Sequence, residues 1–199
     1  DDDEAGDDDH DDHDDHDDHE AGDDDPHLWT DPQRISTALA SLQPVLAALD
    51  SVDAETLADQ VNSYLGELEA LTSDIDQALS VIPAGRRTLI TNHEVFGYFA
   101  ERFDFRVAGA IIPALTTEAE ASAAGMDDLV NLIEAERVPA IFVDSTQSTR
   151  LAEAIADDSE FTVEVVQLFS ESLGGPGSGA DTYLSMMRTN ASRISDALG

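Results

Sequence analysis

Apolar residues at Leu57, Val61, Tyr64, Leu68, Leu71, Ile75, Ala78 and Ile82 recur in alternating steps of four and three. That spacing keeps one face of a helix apolar and predicts a single long helix over 53–82. At 1.5 Å per residue it would run about 45 Å, more than the width of a small domain, which suits a helix that bridges two bodies; a coiled-coil or bundle helix is the alternative. Upstream, Pro26 and Pro32 frame a tight loop, and Asp31 is placed to cap a helix that begins at Pro32. That helix extends to about Leu49, with a kink expected at Pro44. From Arg87 onward the pattern changes. Runs rich in β-branched residues at 88–91, 106–112, 140–144 and 161–168 alternate with helical segments at 94–103, 127–136, 149–157 and 181–198. Strands that alternate with helices in this way predict an α/β fold, a four-stranded parallel sheet flanked by helices.

Composition adds a strong charge signal. The 199 residues contain 44 acids and 9 basic residues, for a net charge of −35. All the basic residues are arginine. Such a surface repels phosphate backbones and anionic membranes, which excludes nucleic acid as a partner, and it attracts cations. An acidic, lysine-free surface also suits a halophilic protein that must stay hydrated in concentrated salt. Cysteine is absent, so any metal site must be built from His, Asp, Glu or water.

Residues 1–25 are of low complexity, with His10, His13, His16 and His19 each preceded by Asp. Repulsion among carboxylates and the lack of any large apolar residue predict a segment that is disordered without metal. Imidazole and carboxylate at this density suit zinc, copper or nickel, so these four His are candidates for weak, multi-ion binding; a solvated acidic tail is the plain alternative.

In the rest of the chain His27 lies in the proline-framed loop and His93 just past the 88–91 strand. Asp144 ends the third predicted strand, and Glu171 follows the fourth by three residues. Ligands of open parallel sheets bind beyond the carboxyl ends of strands, so these side chains form a candidate metal or catalytic constellation. Ser145 and Ser170 sit near strand ends, yet there is no G-x-S-x-G elbow, and His93-Glu94 lacks the second His of a helical zinc-protease motif. A metal-dependent hydrolase is the enzyme reading left open by these residues.

Five stretches, in order, resemble the metal-binding receptors of zinc and manganese ABC importers: Asp25-Pro26-His27-Leu28-Trp29 after a His-rich loop, Thr91-Asn92-His93-Glu94-Val95-Phe96-Gly97-Tyr98-Phe99, Ala140–Thr146, Leu168–Gly174 and Gly179–Asn190. The resemblance implies two α/β lobes joined by one long helix, with the ion held between them by His27, His93 and an acid at Glu171, where the family usually has Asp. It implies an extracytoplasmic, non-enzymatic and monomeric receptor that passes zinc, or alternatively manganese or iron, to a permease subunit in the membrane, anchored through a segment not present here. A metal-binding adhesion role is a further alternative. It also implies a first lobe with one more ligating His. Here only a remnant is expected at 26–52, before the linking helix at 53–82 and the C-terminal lobe at 83–199, so the sequence offers three of four protein ligands.

Overall fold

The computed structural model describes residues 25–115 and 121–199. The repeat carrying His10, His13, His16 and His19 lies outside the described residues. Asp31 accepts the N–H of Gln33 at 2.8 Å and caps α1 (Pro32–Ala47), which contains Pro44. Asp53 accepts from Glu55 and Thr56 and caps α2 (Ala54–Leu79). Its 26 residues span roughly 39 Å. Then follow β1 (Thr88–Thr91), α3 (Gly97–Phe103), β2 (Arg106–Ala110), α4 (Ala123–Glu136), β3 (Ala140–Asp144), α5 (Arg150–Asp158), β4 (Glu164–Leu168) and α6 (Tyr183–Leu198).

The strands form one sheet in the order β2-β1-β3-β4, and every pairing is parallel. Alternation along the strands sends successive side chains to opposite faces. Leu89, Ala140, Phe142 and Leu168 face a core built with α2, α3 and α6. Ile90, Ile141 and Val143 face a second core built with α4 and α5. Helices thus cover both faces, and β3, in the middle, is buried along its whole length.

The long-helix stripe is reproduced: Val61, Leu68, Leu71 and Ile75 are buried, and α2 packs against both α1 and α6. The start of α3 differs from the sequence expectation. The helix begins at Gly97, not at position 94, because the backbone before it is used otherwise: the Glu94 N–H donates to the Ala114 carbonyl at 3.0 Å and the Val95 N–H to that of His93 at 2.9 Å. Residues 92–96 form a loop at the mouth of the sheet.

The phenylalanines behind that loop hold it in place. Phe99 is fully buried, with ring centroids 5.7 Å from Phe96, 4.8 Å from Phe103 and 5.8 Å from Phe105. Phe99→Ala is expected to destabilise the protein by about 3–5 kcal/mol through lost burial and the cavity left behind. Urea unfolding checks this; a loss under about 1 kcal/mol would mean that the cluster is not a core.

Candidate metal centre

The chain leaves β1 towards β2 on one side, then returns to β3 on the other. The direction in which the chain adds strands therefore reverses between β1 and β3, and the crevice beyond the carboxyl ends of strands at such a reversal is where open α/β sheets bind ligands. His93 follows β1 by two residues and Glu171 follows β4 by three, which places both at this end.

His27 reaches the same place from outside the sheet. Its loop is fastened by side chains that bond to backbone. The Tyr98 hydroxyl donates to the Asp25 carbonyl at 3.0 Å, the Trp29 indole N–H to the Ser170 carbonyl at 2.7 Å, and the Tyr183 hydroxyl to the Trp29 carbonyl at 2.8 Å. Burial, and then the nearby Tyr64 and Asp31, raise the Tyr183 phenol above its ordinary value, so it remains a donor. Arg102 Nε donates to Asp31 at 3.1 Å, joining the cap of α1 to α3. These bonds tie the segment that precedes α2 to the one that follows it.

His27, His93 and Glu171 each offer one ligand atom, and these atoms lie within 4.8 Å of one another. Glu171 Oε1 stands 3.0 Å from His93 Nε2 and 3.5 Å from His27 Nε2. A tetrahedral ion with bonds near 2.0–2.1 Å separates its ligand atoms by roughly 3.3 Å, so small adjustments would close this group around one ion. The two rings, with centroids 5.4 Å apart, are buried, while Glu171 is partly exposed. This is the arrangement of a site with a protected floor and an accessible acid.

Each member has a backing partner. Asp25 Oδ1 accepts from His27 Nδ1 at 2.7 Å and from the His27 N–H at 2.9 Å. A carboxylate behind an imidazole fixes its orientation and makes the far nitrogen a better ligand. Asn92 Nδ2 lies 2.9 Å from His93 Nδ1. Behind Glu171 stands Asp144. Its Oδ2 accepts from the Ser170 N–H at 3.0 Å, the Ser170 hydroxyl at 2.7 Å and the Glu171 N–H at 2.9 Å. Its Oδ1 accepts from the Thr146 N–H at 2.7 Å and from the Thr146 hydroxyl. Burial alone would raise the Asp144 pKa, but the bonds from Thr146, Ser170 and Glu171 outweigh it and hold the carboxyl below its ordinary value.

The strand-end constellation is thus corrected in one member. Asp144 does not join the cluster; its carboxylate is occupied by donors that shape the Glu171 loop. Ser170, considered as a nucleophile, gives its hydroxyl hydrogen to that same carboxylate. Asp25 and Asn92 carried no signal of their own in the sequence, since one Asp in an acidic run and one Asn beside a His look ordinary.

The sequence profile of the family described as ZnuA, the periplasmic component A of the zinc-uptake complex, matches residues 2–197. This chain belongs to that family. It is 32% identical over 178 residues to the zinc-binding protein TroA of Treponema pallidum, a match covering 87% of this chain and 57% of TroA. It is 26% identical over 166 residues to the manganese-binding lipoprotein MntA of Halalkalibacterium halodurans, covering 83% of this chain and 54% of MntA. The solved structure of TroA superposes with a TM-score of 0.80 at 30% identity, over 88% of this chain and 64% of TroA's. The chain therefore spans a little over half the length of the curated relatives it matches. The α/β architecture and the parallel sheet expected from the sequence are present. No helix among the described residues is long and apolar enough to cross a membrane.

Proposed function

We propose that this chain is the metal-capturing part of an extracytoplasmic receptor that delivers a divalent transition ion, zinc, to an ABC permease in the membrane. The observation that carries this reading is the convergence of His27, His93 and Glu171 from three separate segments onto one point at the sheet's switch crevice. Membership of the ZnuA family supports the transport role, and relatives with lipoprotein in their names support a location outside the cytoplasm with a lipid anchor. A metal-dependent hydrolase is disfavoured: the family is one of uptake components, and the candidate nucleophile Ser170 is engaged by Asp144. The receptor works as a monomer in this reading.

Zinc is favoured over manganese by the donor set. Two imidazoles and one carboxylate suit a nitrogen-rich, four-coordinate ion, whereas manganese and iron in the divalent state take more oxygen and higher coordination numbers. Manganese is the second reading because Glu171 has two oxygens with which to enlarge the shell and because MntA is named for manganese.

In the same proposal residues 26–52 belong to a first lobe, 53–82 form the linking helix and 83–199 the C-terminal lobe. Support comes from α1 and its trailing turn, which expose Leu42, Val45, Leu46 and Leu49, spaced as one helical row. A helix that belongs to a larger lobe would bury such a row.

Calorimetric titration tests the reading. The full chain should show one tight zinc site and several weaker ones, with manganese bound more weakly at the tight site. Removing residues 1–24 should leave the tight site and lower the stoichiometry, because His10, His13, His16 and His19 go with them. Equal stoichiometry with and without that segment would contradict the auxiliary role, and absence of a tight site would contradict the receptor reading.

A further inference from the structure

His27 and His93 stand in one cluster, but their outer ring nitrogens face opposite kinds of partner. At His27 the partner is an acceptor, the Asp25 carboxylate, 2.7 Å from Nδ1. The ring then carries its proton on Nδ1 and turns a bare Nε2 to the site, the form that ligates a metal. At His93 the partner is Asn92 Nδ2, 2.9 Å from Nδ1. The Asn92 amide cannot simply be turned over, because its Oδ1 accepts the backbone N–H of Asp144 at 3.0 Å. Asn92, His93 and Asp144 are all buried, so water does not substitute for either bond. The amide NH2 therefore donates, Nδ1 accepts, and the neutral ring carries its proton on Nε2. That Nε2–H is aimed at Glu171 Oε1, 3.0 Å away.

We propose that Asn92 holds His93 in the tautomer that pairs with Glu171 rather than the one that binds an ion, and so sets a ceiling on the affinity of the site. The inference rests on the metal-site reading above. An ion ligated by His93 Nε2 displaces the proton there, and the ring stays neutral by taking a proton at Nδ1; its proton count does not change. The Nδ1–H then faces an NH2. If the amide turns over to offer Oδ1, its NH2 meets the Asp144 N–H instead, and a buried donor loses its acceptor. In both arrangements the loaded state contains one donor–donor mismatch that the metal-free state lacks. Such a mismatch raises the free energy of the loaded form and favours release, as a receptor that must surrender its cargo requires. Asp25 does the opposite for His27, so one ring is prepared for the ion and the other is held back from it.

Nitrogen-15 NMR of the histidine rings in the full chain reads the tautomer directly. Metal-free His93 is expected with its proton on Nε2 and His27 with its proton on Nδ1; zinc should move the His93 proton to Nδ1. Asn92→Asp places a carboxylate that accepts from both the Asp144 N–H and the His93 Nδ1–H. In that variant His93 should carry a proton on Nδ1 before metal is added. The zinc Kd, measured against a competing chelator at one fixed pH for both proteins, should fall roughly tenfold or more, the scale on which partners behind a ligand act. A metal-free wild-type His93 protonated on Nδ1, or an unchanged or weaker Kd for folded Asn92→Asp, would overturn the proposal. If the variant does not fold, the wild-type tautomer decides alone. If neither protein binds zinc, the metal-site reading fails, and the metal-free tautomer still decides what Asn92 does.

Discussion

Replacing His93 by alanine is expected to weaken zinc binding at the tight site by more than about 100-fold, since disturbing even a partner behind a ligand costs about 10–100-fold. The substitution removes one of the two imidazoles and leaves Glu171 Oε1 without its 3.0 Å partner. His93 lies in the loop after β1 and outside every helix and strand, so the far-UV circular dichroism should not change. Affinity within a few-fold of wild type, with the fold intact, would show that the ion does not use this ring.

Asp144→Asn should harm both stability and the site. All five donors around the carboxylate point at it: two N–H and two hydroxyl groups of Thr146 and Ser170, and the Glu171 N–H. An amide in its place turns an NH2 towards either the Thr146 pair or the Ser170–Glu171 group, leaving donors buried against a donor. The expected cost is about 3 kcal/mol, a large part of the stability of a domain, together with weaker zinc binding as the Glu171 loop loosens. The stability loss should depend on pH with a definite sign. The Asp144 pKa is held below its ordinary value in the folded protein, so its contribution is fully present above the unfolded carboxylate pKa of about 3.9 and is lost as pH falls through the folded one. Wild type and variant should differ most at neutral pH and converge in strong acid. Denaturant unfolding of the metal-free protein across that range checks it; a gap that widens on acidification would contradict the role given to the carboxylate.

Why Glu171 could be read from the sequence and Asp144's role could not follows from geometry. One acid ends a strand and the other follows one by three residues, and strand-end position says only that a side chain is near the crevice. Which way the carboxylate turns depends on the Ser170–Glu171 and Thr146 backbone, whose N–H groups have no strand partner and converge on Asp144. The long helix was legible because its burial repeats every turn, and β1 and β3 because each is a short run with β-branched or apolar residues at its centre, Leu89-Ile90 and Ile141-Phe142-Val143. The start of α3 was not: Phe96 stands at helical spacing to Phe99 and Phe103, while the backbone at 94–95 bonds to Ala114 and His93 instead. Asp25 was hidden by charge. With 44 acids in the chain, one beside a proline has no contrast, and its role shows only in its 2.7 Å approach to His27 Nδ1. His27 and His93 were legible for the converse reason: outside the Asp/His repeat they are the two histidines of the chain.

An anomalous-difference map from crystals of the full chain loaded with one equivalent of zinc, recorded across the zinc absorption edge, tests the central claim most directly. The account predicts one strong peak within about 2.0–2.2 Å of His27 Nε2, His93 Nε2 and a Glu171 oxygen, with the His27 ring still backed by Asp25. A zinc peak that lies elsewhere, with those three side chains arranged as they are without metal, would contradict it.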